Sequence, residues 1–119
     1  MKSPAGSPRN DIKIETTTQA NELPTYVFLT RFTRRGFEGV TESPDRTEEA
    51  KALVESMGET WKEFFVTMGR YDGLVIAEFP DDAAAAQAAL ALASGGNVTT
   101  ETLRAFPLDE FRDIVDAVP

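Results

Sequence analysis

Residues 68–79, MGRYDGLVIAEF, decide the fold, because they place a turn directly before the clearest strand pattern of the chain. Gly69 and Gly73 bracket Arg70, Tyr71 and Asp72, and glycine tolerates the positive φ angles that tight turns need. An Asp–Gly pair between apolar runs is a strong β-hairpin signal. The sequence therefore predicts that residues 59–67 and 74–79 pair as antiparallel strands, joined by a four-residue loop.

Two further strands are predicted on either side of this hairpin. Residues 24–32, PTYVFLTRF, are dense in β-branched and aromatic side chains, which favour strands. Residues 97–106, NVTTETLRAF, form the last predicted strand, and Pro107 ends it. Residues 33–42 are predicted to be a loop.

Helices are predicted between these strands. In one, Ser43 is predicted to be the N-cap and Pro44 the first helical residue, and Gly58 ends the helix. A second, AAAAQAALALAS, begins near Asp81 or Asp82 and stops at a pair of glycines. A third spans residues 108–118, with its apolar side chains on one side. The predicted fold is therefore α+β: a ferredoxin-like βαββαβ arrangement with a four-stranded antiparallel sheet, helices on one face and an extra C-terminal helix.

Composition limits what the protein can do. The chain has 119 residues and a net charge of −8, with no cysteine and no histidine. An acidic body disfavours nucleic acids and anionic membranes as partners. Missing thiol and imidazole groups exclude the usual nucleophilic triads and most zinc, copper and haem sites. Magnesium or calcium held by carboxylates stays open, although no loop of the calcium-binding type is present, and no cofactor or metal site is expected. No apolar run could span a bilayer, so a cytoplasmic protein is predicted.

The N-terminal part differs in character from the rest. Residues 1–22 are polar, and Ile12 and Ile14 are their only large aliphatic groups beyond Met1. Such a segment buries too little surface to offset its ordering entropy, so it is predicted to be a disordered tail. Residues 23–119 are predicted to form one domain.

Strand alternation sorts the side chains of the sheet into two faces. A wholly apolar set is assigned to the helices: Val27, Leu29, Phe64, Val66, Val75, Ala77, Leu103 and Ala105. The other set is assigned to a free face: Tyr26, Phe28, Thr30, Phe32, Trp61, Glu63, Phe65, Ile76, Glu78, Thr102 and Arg104. Since that face is too aromatic to remain in water, a second subunit is expected to cover it, giving a homodimer that encloses a partly polar cleft.

Several blocks of sequence resemble the GYD-domain family, whose name corresponds here to Gly69, Tyr71 and Asp72. The matching blocks are PTYVFLTRFT, TMGRYDGLVIAEFPDD, ALALASGGNV and TETLRAF, which cover about residues 24–106. The family is similar to the dimeric α/β-barrel group, which includes cofactor-free monooxygenases, isomerases and stress-related proteins. The resemblance thus implies a fold and a homodimer, but not a particular reaction.

The candidate chemistry comes from polar groups on the predicted free face. Glu78 and Glu63 are candidate general bases, because two neighbouring carboxylates raise each other's pKa unless a cation relieves them. Arg104 is the candidate cation for a developing anion. The candidate ligand-binding side chains are Tyr26, Phe28, Thr30, Trp61, Phe65, Thr102 and Arg104. The alternative for this face is an interface ion-pair network that needs no ligand.

Three functions are therefore open from the sequence. The first is a dimeric barrel that binds a small apolar or aromatic molecule in the cleft. The second is a cofactor-independent oxygenase or isomerase with Glu78 or Glu63 as its base. The third is a structural or regulatory oligomer, a homodimer or larger, that acts through protein contacts.

Overall fold

A computed structural model describes residues 23–119 of the chain, and the predicted tail, residues 1–22, lies outside the described residues. In order, the elements are β1 (Thr25–Phe32), α1 (Arg34–Glu38), a 3₁₀ turn (Val40–Glu42), α2 (Ser43–Ser56), β2 (Thr60–Val66), β3 (Gly73–Glu78), α3 (Asp82–Ser94), β4 (Val98–Ala105) and α4 (Leu108–Asp116). Within this part of the chain, no helix is both long and apolar enough to cross a membrane.

The four strands form one antiparallel sheet in the order β2-β3-β1-β4. This order, with α2 and α3 connecting the strands, is the ferredoxin-like arrangement that the sequence predicts. The prediction that Ser43 caps α2 is wrong, because Ser43 is itself the first residue of the helix and Glu42, at the N-cap, makes no side-chain capping hydrogen bond. The caps predicted at Asp81 and Gly58 are confirmed. Asp81 accepts a hydrogen bond from the Ala84 N–H at 2.9 Å to start α3, and Gly58 follows α2 with a φ of 85°.

The predicted loop at residues 33–42 contains a short helix that the sequence pattern did not indicate. The side chain of Thr33 accepts a hydrogen bond from the Gly36 N–H at 3.1 Å and so caps α1. At Gly36 a Cβ would lie 2.1 Å from the Asn97 carbonyl oxygen, so only glycine lets α1 approach the start of β4 this closely. The two glycines in this segment suggested a loop, but one of them serves packing instead.

The core lies between the sheet and the helices, and it contains side chains that the prediction assigned to the other face. Tyr26 and Phe28 are buried and lie opposite Ala77 and Val75 of β3. The assignment of β1 and β4 to faces is therefore wrong, whereas that of β3 is confirmed. The physical reason is volume, because α3 packs on the sheet through the small side chains of residues such as Ala85. Large aromatic groups of the sheet fill the space that these alanines leave.

The hairpin has a different register from the predicted one, and β2 contains a β-bulge. Val66 pairs with Gly73, and the Thr67 N–H donates to the Asp72 carbonyl at 3.0 Å to close the loop. The register shifts between Trp61 and Glu63. Because of this bulge, Trp61 turns toward the helices while Glu63 stays on the free face of the sheet.

Candidate functional site

The Tyr71–Asp72 pair of the hairpin loop links three strands of the sheet. The Asp72 N–H donates to the Thr30 carbonyl at 2.8 Å, and the Asp72 carboxylate accepts from the Phe32 N–H at 2.8 Å. The Tyr71 hydroxyl donates to the Glu101 carboxylate of β4 at 3.0 Å. This bond is the main reason that the pKa of Tyr71 is raised. Through these contacts the Gly-x-Tyr-Asp segment holds the hairpin loop against the end of strand β1 and against β4.

The two glycines of the loop are required for different structural reasons. Gly69 has a φ of 96° and open space around it, as the turn prediction requires. Gly73 is buried, and a Cβ there would lie 2.6 Å from Oγ1 of Thr30 and 3.4 Å from the Phe64 ring. Its position thus requires a residue without a side chain because space is lacking.

The candidate bases lie on the free face of the sheet, as predicted. Glu78 is opposite Thr25 and Thr60, and Glu63 is opposite Ile76. The cation near Glu78 is Lys62, whose Nζ lies 3.7 Å from its carboxylate, and not Arg104. Arg104 pairs with Tyr26 across strands β1 and β4 and therefore lies on the helix side. The predicted grouping of both glutamates with Arg104 on one face is wrong.

Arg104 instead lies near the end of β4, on the side of the sheet that faces the helices. There it contacts Tyr26, Phe106 and Glu110, and we call this group the Arg104 cluster. Its guanidinium lies 5.6 Å from the Tyr26 ring centroid and 4.3 Å from that of Phe106. It also donates to the backbone carbonyls of Thr25 and Ala105, and its Nη2 lies 3.4 Å from the Glu110 carboxylate of α4. All these partners belong to the chain itself.

Tyr26 belongs to the same cluster and hydrogen-bonds at its other side. Its hydroxyl donates to the Asp82 carboxylate at 2.5 Å. Burial, with this hydrogen bond as the second cause, raises the pKa of Tyr26 to about 12. A phenol held neutral in this way cannot act as a base near neutral pH. Asp82 was placed at a helix start by the sequence, but no pattern indicated that it would bind Tyr26.

The predicted ligand-binding side chains are divided between the two faces. Only Phe65, which is exposed, lies on the free face opposite Leu74. The others turn toward the helix side: Tyr26, Phe28, Thr30, Trp61, Thr102 and Arg104. Of these, Thr30 and Trp61 line a cavity between the sheet and the helices.

The free face itself is largely aliphatic at its centre. Two residues of β1 on this side pair with aliphatic residues of β3, Val27 with Ile76 and Leu29 with Leu74. Phe65 is 52% exposed and Leu103 is 43% exposed. Charged groups lie around them, including Glu63, Glu78, Glu101 and Arg31. Exposed apolar groups that adjoin one another on a surface are typical of interaction sites.

Helix α4 presents a second apolar surface, which we call the α4 stripe. It consists of Leu108, Phe111, Ile114 and Val115 of the helix and of Val118, two residues beyond its end, all exposed. The opposite side of the helix is polar, with Asp109, Arg112, Asp113 and Asp116. The sequence predicted the amphipathic pattern of α4 but not that its apolar side would be open to solvent.

Comparison with known proteins shows which sequences this chain is similar to. The GYD domain profile matches residues 26–115. A protein of Thermus thermophilus, described as a glutamine synthetase and cystathionine beta-lyase binding protein, is 34% identical over 87 residues. That alignment covers 72% of this chain and 92% of the relative. No solved structure matches the chain at a significant level. With a profile match over most of its length and this relative, the chain belongs to the GYD domain family.

Proposed function

We propose that this chain is a regulatory binding protein that forms a homodimer through the free sheet face and binds a partner enzyme through the α4 stripe. The observation that carries the proposal is the α4 stripe, in which four large apolar side chains are exposed on α4 and a fifth, Val118, follows the helix. The relative is named for binding two metabolic enzymes, which supports protein binding in this chain as well. The cytoplasmic location predicted from the sequence is part of the proposal.

The chemistry of α4 suggests the kind of partner surface. An amphipathic helix binds by laying its apolar side into a hydrophobic groove, with anchors about one turn apart. Phe111 and Val115 have that spacing, and Phe111 is 53% exposed. The polar side carries three aspartates against one arginine. We therefore expect an apolar groove with lysine or arginine at its rim.

The free sheet face is assigned to the second copy of the chain. Its aliphatic pairs of β1 and β3 lie at the centre of the sheet, where a second sheet could pack against them. Burying them would contribute about 25 cal/mol per Å² of apolar surface. Charged residues around the aliphatic pairs, including Arg31 and Glu101, offer opposite charges for pairing across such an interface.

Small-molecule binding on the free face, the first function considered from the sequence, has less support. Six of its seven candidate side chains turn away from that face. The oxygenase or isomerase alternative required Arg104 to lie near Glu78 and stabilise an anion, but the two residues lie on opposite faces of the sheet. Protein contact is the function that the exposed apolar surfaces favour.

Biolayer interferometry with the full chain tests the proposal. Glutamine synthetase and cystathionine beta-lyase from the organism that encodes this chain are immobilised separately. At least one of the two enzymes should bind the chain with micromolar affinity or better. Phe111→Ser should weaken this binding by more than about tenfold, since truncating a central aromatic anchor costs about 2 kcal/mol or more. Asp113→Ser, on the polar side of the same helix, is the matched control and should change the affinity by less than about threefold.

Two results would contradict the proposal. One is that neither enzyme binds the full chain. The other is that Phe111→Ser binds as tightly as the unmodified protein while circular dichroism and sedimentation show it folded and in the same oligomeric state. In that case the α4 stripe serves another purpose.

A further inference from the structure

A cavity of about 530 Å³ lies between the helix side of the sheet and helices α2 and α3. Its floor is formed by Phe32, Phe64, Val75 and Val98, and Trp61 forms part of its wall. Ala91 and Leu92 of α3 close one side. The volume is in the range of sites for small organic ligands.

The cavity exists because the first half of α2 carries small side chains above an aromatic floor. Ser43, Thr47 and Ala50 of α2 line it, and Val54, one turn further on, is the residue by which α2 is anchored in the core. Where small groups of a helix face the sheet, they leave space that the facing side chains do not fill. Leu53 lines the rim and remains 41% exposed.

The polar groups of the cavity give it a negative character. Asp72 lines one end, and its carboxylate accepts a hydrogen bond from the Phe32 N–H at 2.8 Å. Glu48 and Glu49 lie at the α2 side. Arg46 is the one cation among the lining residues of this cavity, and its guanidinium donates to the Gly39 carbonyl at 3.0 Å. With its charge directed to that backbone, it is poorly placed to bind an anion inside the cavity.

We propose that this cavity is a ligand site for an aromatic molecule without negative charge, neutral or cationic. The apolar floor supplies most of the contact surface. The Trp61 and Phe64 rings stack with their centroids 6.4 Å apart and offer faces for a ring or a cation. The three carboxylates disfavour an anion and favour a donor or positive charge. This site is separate from the α4 stripe and the free face and does not depend on the protein partners proposed for them.

Two dyes that differ in one charged group test both parts of the proposal. N-phenyl-1-naphthylamine is neutral, and 1-anilinonaphthalene-8-sulfonate is the same ring system with a sulfonate. Trp61 is the single tryptophan of the chain, so quenching of its fluorescence reports occupation near the cavity. The neutral dye should bind at least about tenfold more tightly than the sulfonate, a difference of about 1.4 kcal/mol.

A filling variant locates the site. Ala50→Leu adds bulk to the cavity from α2 and should weaken binding of the neutral dye by at least about tenfold. Ala86→Leu, on the exposed side of α3, makes the same change outside the cavity and should leave binding unchanged. Both substitutions keep a strong helix former in a helix, so folding should be preserved in both.

Three outcomes would overturn the proposal. The first is equal or tighter binding of the sulfonate dye. The second is unchanged quenching in Ala50→Leu, which would place the dye elsewhere, for example on the free sheet face. The third is at least about tenfold tighter dye binding after deletion of residues 1–22, which would mean that the chain's own N-terminal segment occupies the cavity.

Discussion

The phenol of Tyr71 reaches over the end of β1 to donate a hydrogen bond to the Glu101 carboxylate, 3.0 Å away on β4. The loop between β2 and β3 is thereby tied to a strand that lies two positions from β3 in the sheet. Tyr71 and Asp72, adjacent in sequence, thus make their contacts on different strands. The motif that names the family has a structural role that follows from these contacts.

The two contacts should differ in their effect on stability. Asp72→Ala leaves the Phe32 N–H without its partner at a half-buried position and should lower the free energy of unfolding by about 1–2 kcal/mol. Tyr71→Phe removes a bond between exposed groups, which water replaces at little cost, and should lower it by clearly less. Urea unfolding of both variants measures this order. Equal losses would show that the Asp72 carboxylate does not hold the end of β1.

The tyrosine pKa values can be read directly, because the chain has two tyrosines. Since the bond to Glu101 is the main cause of the raised pKa of Tyr71, Glu101→Gln should lower that pKa and leave the pKa of Tyr26, at about 12, unchanged. Ultraviolet absorbance titration resolves the two phenols. If both pKa values fall together, the assignment of the bond to Tyr71 is wrong.

The Tyr26–Asp82 hydrogen bond should make stability depend on alkaline pH. The pKa of Tyr26 is about 12 in the folded chain and about 10 in an unfolded one. A phenol with a raised folded pKa contributes stability that is fully present below pH 10 and is lost as the pH rises toward 12. The unmodified protein should therefore lose about 2 kcal/mol more than Tyr26→Phe between about pH 9 and pH 12.

Urea unfolding at about pH 9 and pH 11.5, on either side of the unfolded pKa, provides that measurement. Tyr26→Phe retains the ring contact with Phe79, whose centroid is 5.7 Å away, and lacks the titrating hydroxyl. It therefore removes the hydroxyl without opening a ring-sized cavity in the core. Parallel curves for both proteins would show that Tyr26 does not carry the pH dependence.

A charge placed in the middle of the free face should dissociate the dimer. Leu74→Lys introduces an ammonium group between Leu29 and Phe65, apolar neighbours that a second sheet would cover. The unmodified protein should sediment as a dimer at micromolar concentration and the variant as a folded monomer. Ala86→Lys, on the exposed side of α3, is the matched control and should remain dimeric. If the unmodified protein is a monomer, the free face is not a dimer interface.

Glu78 should matter little for folding. Its partner Lys62 is half-exposed, and the two charged groups are 3.7 Å apart. Such pairs contribute at most about 1 kcal/mol, so Glu78→Gln should change the midpoint of urea unfolding only slightly. Unfolding of this variant at neutral pH would mean that Glu78 is not on the open side of the sheet.

The elements could be predicted from local signals, and the faces could not. Turn glycines, helix caps and strand composition act over a few residues, so the hairpin and the helix starts were identified. The face of β1 depends on what packs against it. Leu29 and Phe28 are both good core side chains, and the choice between them rests on α3 being lined with alanines such as Ala85.

The candidate site was harder to predict for a related reason. One β-bulge places Trp61 and Glu63 on opposite sides of β2, and nothing in the local sequence marks it. The contact between Arg104 and Glu110 joins two elements that the prediction treated separately. The Tyr26–Asp82 bond joins residues 56 positions apart. Contacts of this range depend on the assembled fold rather than on sequence spacing.

The lack of space at Gly73 means that the two glycines of the loop accept different substitutions. Asparagine, which adopts left-handed backbone angles more readily than most residues, is compatible with Gly69, because the space around it is open. The same residue at position 73 would meet Oγ1 of Thr30 at 2.6 Å whatever its backbone prefers. If both positions were randomised and folded variants selected, we expect several residue types at position 69 and glycine alone at position 73.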